Sequence, residues 1–326
     1  MGDVNNTPKI KKKMATWKKV VIGIVIVAII FIAAGMGYVY HLVSKTNHVE
    51  LNKDNLGMQQ DAAKESKEDG IINIALFGID ATQGQAGRSD ADMILTIDKK
   101  HNKVKLTSIM RDSYVDVKGH GMTKLTHAYA YGGPELALNT LNTNFNLALD
   151  KFIAVNFTSL PKIIDYLGGV PVDITVGDLK YINGYIGNLN YFNHTNVSNI
   201  NKTGEQVLNG TQALAYCRIR YDGGDQRRTQ RQRTILEAIF KKIKEMPATD
   251  YPKLLDELLP YVTTNISTTE FLSLGKDILS TNASSMQERR VPCDNHEKGE
   301  MLKGVYYMNF DLKAETEELH DFIFNN

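Results

Sequence analysis

Residues 71–114 read IINIALFGIDATQGQAGRSDADMILTIDKKHNKVKLTSIMRDSY, and three β-strands can be cut from them. IINIALFGID (71–80), ADMILTID (91–98) and KVKLTSIM (103–110) are rich in Ile, Leu, Val and Thr at strand length. KKHN joins the last two as a turn. Helical patterns follow in PELALNTLNTNFNL, with Pro134 placed for a first helical turn, and in TSLPKIIDYLGG, which closes on glycine. FIAVNF (152–157) and VPVDITV (170–176) read as further strands. Strands alternating with helices predict an α/β fold, a sheet covered by helices on both faces. Residues 180–203, KYINGYIGNLNYFNHTNVSNINKT, interrupt this rhythm with seven asparagines. They read as a long loop, either a disordered surface excursion or a sugar-contacting lid. After residue 246, DYPKLLDELLPYV, TTEFLSLGKDIL and KAETEELHDFIF read as amphipathic helices that complete one domain, with Thr268 or Thr269 as cap of the second.

Upstream of the first strand the character changes. Residues 44–69 are polar and lack an apolar helical face, which predicts a stalk. Before them VVIGIVIVAIIFIAAGMGYVY, residues 20–40, carries no charge in 21 residues. As a helix it would span about 30 Å, the thickness of a bilayer core. Lys9, Lys11, Lys12, Lys13, Lys18 and Lys19 precede this span, which sets the amino terminus inside and the rest of the chain outside. The expected organisation is therefore a cytoplasmic basic tail (1–19), a transmembrane signal-anchor (20–40), an extracytoplasmic stalk (41–69) and an extracytoplasmic domain (70–326). The localisation is the cell membrane, single-pass.

Composition limits the partners. At 326 residues with 42% hydrophobic content the chain can bury a sizeable core. The net charge of +1 conceals the basic tail; without residues 1–19 the chain is mildly acidic and is no general polyanion binder. An external domain also excludes cytosolic ATP as substrate and nucleic acid as partner. The only cysteines, Cys217 and Cys293, could pair as a disulfide in an exported domain, although a domain of this size does not need the staple, and they are not read as a zinc site.

Against this lysine-rich background, YCRIRYDGGDQRRTQRQRT (216–234) gathers six of the ten arginines. A guanidinium meets phosphate oxygens with two parallel hydrogen bonds, whereas lysine offers a point charge. Arg218 and Arg220 are two apart, so on an extended segment they share a side. GGD then turns the chain, and Asp225 is the expected N-cap of a helix to about residue 245. Ile235, Leu236, Ile239, Phe240 and Ile243 phase that helix. Projected back, Arg228 and Gln232 fall on its buried face, Arg227 lies opposite, and Arg231 and Arg233 lie on the flanks. Polar residues on a buried face near a helix N-terminus suit an anion. Arg227 and Arg233 are read as solvated.

Strand ends in open α/β sheets border ligand sites. Asp80 ends the first strand, Arg88, Asp90 and Asp92 begin the second, and Arg111 and Asp112 follow the third. Asp90 and Asp92 share a face and could hold a hard divalent cation with Asp80, or simply cap strand ends. Lys124 stands at a helix start in MTKLTHAYAYGG.

LFGID, GRSDADMI, SIMRDSYV, KLTHAYAYGG, YLGGVPVDI, LNGTQALAYCRIR and GGDQRRTQRQRTIL, in this order, resemble the LytR-CpsA-Psr family of bacterial cell-envelope proteins. The family usually has proline where this chain has Met110. The resemblance implies an α-β-α sandwich with a central mixed sheet and an apolar pocket for a polyprenyl tail, preceded by one transmembrane helix. It implies a phosphotransferase that moves an anionic glycopolymer, wall teichoic acid or capsular polysaccharide, from a polyprenyl-pyrophosphate carrier to peptidoglycan. Carried over by motif, Arg88, Arg111, Arg218, Arg220, Arg228 and Gln232 bind the pyrophosphate, with Lys124 as a further member. Asp80 and Asp90 hold Mg²⁺, and Asp92 has no family role. Beyond the resemblance, Asp90, as acceptor of the attacking hydroxyl's proton, and Arg111 are the expected catalytic residues. Two alternatives stand beside this reading: a polyprenyl-pyrophosphate hydrolase, and a non-catalytic lipid-binding regulatory membrane protein.

Overall fold

The computed structural model describes residues 47–81 and 87–325. The basic tail, the apolar span 20–40 and the start of the stalk lie outside the described residues. Among those described, no helix is long and apolar enough to cross a membrane.

The described residues open with β1 (Asn47–His48), a 3-10 turn (Lys53–Asn55) and α1 (Gln60–Asp69). A run of strands follows: β2 (Ile71–Asp80), β3 (Arg88–Asp98), β4 (Lys103–Ile109) and the hairpin β5 (Tyr114–Val117) and β6 (Gly121–Lys124). Next come α2 (Leu125–Asn144), β7 (Phe152–Asn156), α3 (Ser159–Tyr166), β8 (Val170–Ile174) and α4 (Val176–Asn193). After β9 (Gly204–Leu208) lie α5 (Gly210–Arg218), the long α6 (Gly224–Glu245) and α7 (Tyr251–Leu258). The chain closes with β10 (Thr263–Thr264), α8 (Thr268–Ser280), β11 (Gln287–Val291), the hairpin β12 (Lys298–Leu302) and β13 (Val305–Asn309), and α9 (Leu312–His320).

Seven strands form a mixed sheet in the order β1-β10-β7-β2-β3-β4-β11. β3 runs antiparallel to both β2 and β4, while β7 and β11 are parallel to their inner neighbours. One face, with Ala75, Phe77, Ile94, Ile109 and Phe152, packs on α2 and on Leu319 and Ile323 at the carboxyl end. The other face, with Ile74 and Ile97, meets α8 through Leu274 and Phe271. A third cluster joins α3, α4, α5 and the middle of α6 to the β8–β9 ribbon through Ile164, Ile186, Leu214 and Ile235. This is the expected α/β architecture with helices on both faces.

Outside the arginine stretch, the structure departs from the sequence reading of its elements in four places. The stalk is folded from Asn47: Leu56 is fully buried, and the Asn142 amide donates to its carbonyl at 2.8 Å. VPVDITV does make a strand, but it pairs with β9 in a separate two-stranded sheet. The asparagine-rich segment is largely the helix α4, started by a capping box between Thr175 and Asp178 and ended by His194 at φ 53°. Its asparagines have a local use. Asn183 accepts from Ile200 N–H at 2.9 Å and donates to the same residue's carbonyl at 2.8 Å, and Asn190 does the same for Val197. These amides hold the following loop against the helix, as a strand edge would. Finally, α8 is capped by Ser267, with Glu270 completing the box, and neither Thr268 nor Thr269.

Candidate active site

β2 ends, β3 begins and β4 ends at one edge of the sheet, because β3 is antiparallel to both neighbours. This topology gathers Asp80, Arg88, Asp90, Arg111 and Asp112 at that edge. Met110, buried between them, donates its backbone N–H to Val291 O at 2.9 Å and so extends the β4–β11 ladder by one bond. A proline there has no N–H to donate.

The arginine stretch reaches this edge through a left-handed turn. Gly223 (φ 81°) and Gly224 (φ 68°) reverse the chain between α5 and α6, and Gly223 is the N-cap. Asp225 therefore lies inside the first helical turn and is not the cap. Arg231, at 3% exposure, fixes the turn: its Nε meets Asp178 Oδ1 at 2.7 Å, Nη2 meets Asp222 at 3.0 Å, and Nη1 donates to Ile219 O at 3.2 Å.

The result is a mesh of cations on carboxylates. Arg111 Nη1 donates to Asp90 Oδ1 at 2.7 Å. Arg220 Nη2 and Arg228 Nη1 approach Asp90 Oδ2 at 3.2 and 3.4 Å, and Arg228 Nη2 donates to the Asp90 carbonyl at 2.8 Å. Asp225 lies 3.1 Å from Arg228 Nε and 3.4 Å from Arg111 Nε. Lys124 Nζ bonds Asp112 at 2.8 Å, and Asp112 lies 3.6 Å from Arg111. Burial works to raise the Asp90 carboxyl, but Arg228, Arg111 and Arg220 overcome it and hold the group below its usual range. Burial opposes the charge of Arg111, yet Asp225, Asp90 and Asp112 raise its pKa above the ordinary value. Arg228, more deeply placed, is lowered by burial in spite of Asp225. Burial pushes the Asp92 carboxyl up to about 8, and its Oδ2 has no hydrogen-bond partner among the described residues.

Of the expected site residues, Asp90, Arg111, Lys124, Arg220 and Arg228 are thus brought together. Gln232 lies one turn beyond Arg228, partly buried, with Oε1 unpartnered among the described residues. Asp80 and Arg88 are exposed neighbours in the β2–β3 register. No hydrogen bond or ion pair between described residues links them to the cluster. Arg218 is the last residue of α5, not part of an extended segment, and its guanidinium stacks on Phe157 at 4.3 Å. Arg227 is exposed as expected, but Arg233 is not solvated: it is 6% exposed and its Nε meets Glu288 of β11 at 2.8 Å. Asp112, named at its strand end without a role, and Asp225, read as a helix cap, are the carboxylates that sequence reasoning did not assign to the site. Their signal was adjacency, each lying one to three residues from a site arginine.

The sheet face under α7 and α8 is incompletely closed. Leu95, in the central strand β3, remains partly accessible, as do Leu76, Ile153, Val155 and Phe271 around it. Partly accessible apolar side chains therefore line the sheet face toward these helices.

The LytR_cpsA_psr family model matches residues 38–321. The chain belongs to the LytR-CpsA-Psr family. Among relatives of this family, the polyisoprenyl-teichoic acid–peptidoglycan teichoic acid transferase TagT of Bacillus subtilis (strain 168) is 31% identical over 326 residues, covering 95% of each chain. The structure of TagT bound to LI-WTA is similar at a TM-score of 0.66 and 28% identity, over 85% of this chain and 99% of that one. The LytR-CPS2A-psr family protein YwtF (TagT) with bound octaprenyl pyrophosphate lipid matches at a TM-score of 0.63 and 27% identity, with the same coverage. The α/β fold with a central mixed sheet is that of these LytR-CpsA-Psr structures.

Proposed function

We propose that this protein transfers an anionic glycopolymer of the teichoic acid or capsule type from a polyprenyl-pyrophosphate carrier to peptidoglycan. The carrying observation is the convergence of Arg111, Arg220 and Arg228, from three separate elements, on the single carboxylate of Asp90. Three guanidiniums on two oxygens leave donors to spare, and a pyrophosphate supplies the acceptors. The teichoic acid transferase TagT and the octaprenyl-pyrophosphate complex of its structure support the choice of substrate. Arg88, Arg218, Gln232 and Lys124 serve as further pyrophosphate contacts, and the partly accessible apolar sheet face beneath α7 and α8 takes the prenyl tail. The span 20–40 behind its six lysines serves as the anchor, with the catalytic domain outside the membrane.

In the reaction a glycan hydroxyl oxygen attacks the sugar-linked phosphorus. The bond from that phosphorus to the bridging oxygen breaks, and prenyl monophosphate leaves. Asp90 receives the hydroxyl proton. Its depressed pKa makes it a weak base while three guanidiniums hold it, and it becomes a stronger one when the phosphates engage those guanidiniums. Positioning and charge neutralisation provide most of the catalysis of such a transfer, which suits Arg111, Arg220 and Arg228.

The donor set accommodates Mg²⁺ only together with substrate. Asp90 is surrounded by cations, and Mg²⁺ takes one or two carboxylates plus substrate phosphates. Asp90 and Asp80 would hold it, and the unpartnered Oδ2 of Asp92 lies buried two residues along the strand from Asp90. Bound Mg²⁺ would neutralise charge on the pyrophosphate oxygens. The test is polymer transfer from a lipid-linked donor to peptidoglycan oligomers by the purified protein. Transfer requires both glycan acceptor and divalent cation. Equal donor cleavage with and without acceptor would identify a hydrolase, and transfer unchanged by EDTA would remove the metal.

A further inference from the structure

Outside the arginine cluster, the turn after β11 and the helix α9 bring a thiol, an imidazole and two carboxylates together. Cys293 and His296 close a four-residue turn: His296 N–H donates to Cys293 O at 3.1 Å, and Asn295 takes φ 69°. Glu315 and Glu318, three apart on α9, share the helix face toward that turn. One donor atom each from Cys293, His296 and Glu318 lie within 4.8 Å of one another. We propose that Cys293, His296 and Glu318 bind a transition-metal ion of the Zn²⁺ class, and that Glu315 orients the ligands.

The donor set argues for the class of ion. A thiolate, an imidazole and a carboxylate suit Zn²⁺ and its neighbours and do not suit Mg²⁺ or Ca²⁺, which take oxygen. Glu315 supplies an independent observation. Its side chain is fully buried, it accepts the Cys293 backbone N–H at 3.1 and 3.2 Å, and it lies 2.7 Å from His296 Nδ1. A metal-bound histidine commonly donates its second ring N–H to such a carboxylate, which fixes the ring and turns the other nitrogen to the ion. Here that leaves Nε2 for the metal.

Arg289 shows that the place between the donors favours a cation. Its Nη2 donates to Cys293 Sγ at 2.9 Å and also to Glu318. An incoming ion would displace this guanidinium into the adjoining cleft of about 670 Å³, which Arg289 and Cys293 line together with Gln226 and Arg227. The side chains of His296 and Glu318 are 49% and 45% exposed, so solvent reaches the site, and three protein ligands leave a fourth position for water. The sequence reading weighed the two cysteines without His296, three residues after one of them.

The test is a Co²⁺ titration of full-length protein in detergent after EDTA treatment. The expected result is a thiolate-to-cobalt charge-transfer band that saturates at a single ion, persists in Cys217→Ser and is lost in Cys293→Ser. A cation held by carboxylates and phosphate gives no sulfur band, so this result is independent of the proposed transferase site and of any Mg²⁺ there. Glu315→Gln weakens binding by about tenfold to a hundredfold, while Arg289→Gln, which removes the competing cation, tightens it. Circular dichroism matching the parent shows that each variant is folded. Absence of the band from the parent protein, or its survival in folded Cys293→Ser or in an exposed-ligand double variant His296→Ala/Glu318→Gln, overturns the proposal.

Discussion

Asp90 holds three guanidiniums with two oxygens and a carbonyl, so every contact it makes can be exchanged for a phosphate contact of similar geometry. Arg111 also touches Asp112 and Asp225 and has the most partners to release. Arg111→Ala should lower transfer by about a hundredfold to a thousandfold, the scale of losing one donor to developing charge. Arg111→Lys should recover only part, because an ammonium cannot present two parallel bonds. Single-turnover rates with lipid-linked donor measure both. Asp92 sits beside this mesh in the opposite condition. Below its ordinary value of 3.8 the carboxyl is protonated in both folded and unfolded chains. Between there and about 8 the unfolded chain ionises while the folded one stays neutral, so this group's contribution to stability falls as pH rises. Asp92→Asn stays neutral throughout. Its stability relative to the parent should therefore increase across that interval and level off above it, as read from urea unfolding at several pH values. A constant difference would mean that Asp92 is not held neutral by burial.

At the scale of elements, α6 carries two separate kinds of arginine that composition could not sort. Arg228 reaches the sheet edge, while Arg231 binds Asp178 of α4 and the turn before its own helix. Arg231→Met should destabilise the fold by about 3–5 kcal/mol, since it leaves Asp178 buried without its cation. It should also loosen Arg220, whose turn Arg231 holds. The exposed Arg227→Ala should change stability by less than about 0.5 kcal/mol. Denaturant unfolding of the two variants separates them. Phasing from Ile235, Ile239 and Ile243 predicted the burial of Arg228 and the exposure of Arg227, because a helix repeats its environment every 3.6 residues. It failed for Arg233, whose partner Glu288 lies 55 residues away on an edge strand that the sequence reading did not recognise. Short alternating strands were legible in β2, β3, β4 and β7. The helix α4 was not, because Gly184, Gly187 and its asparagines mask the spacing of Ile182, Ile186 and Leu189, which carries its buried face. The charges at the sheet edge could be enumerated from motifs, but their convergence depends on β3 being antiparallel to both neighbours, which no local pattern specifies.

At the scale of the whole molecule, the folded domain includes residues further upstream than composition suggests. Residues 47–69 are polar, yet they contribute a strand to the sheet's edge and place Leu56, fully buried, in the main core. Asn139 and Asn142 of α2 donate to the carbonyls of Asn55 and Leu56 at 2.6 and 2.8 Å. The family match, which begins at residue 38, also includes this segment. Deleting it would remove the burial of Leu56, worth about 1.5–3 kcal/mol. It would also deprive the two amides of these acceptors, at about 1–3 kcal/mol for each donor left buried and unsatisfied. Small single domains have only about 5–15 kcal/mol of net stability to lose. A soluble chain of residues 47–326 should therefore unfold in one cooperative transition, and a chain of residues 70–326 should melt at markedly lower temperature or expose apolar surface to a reporter dye without melting. Thermal unfolding of the two chains side by side decides the matter. Equal melting temperatures would mean that residues 47–69 are only a tether, and the folded domain would then begin at β2.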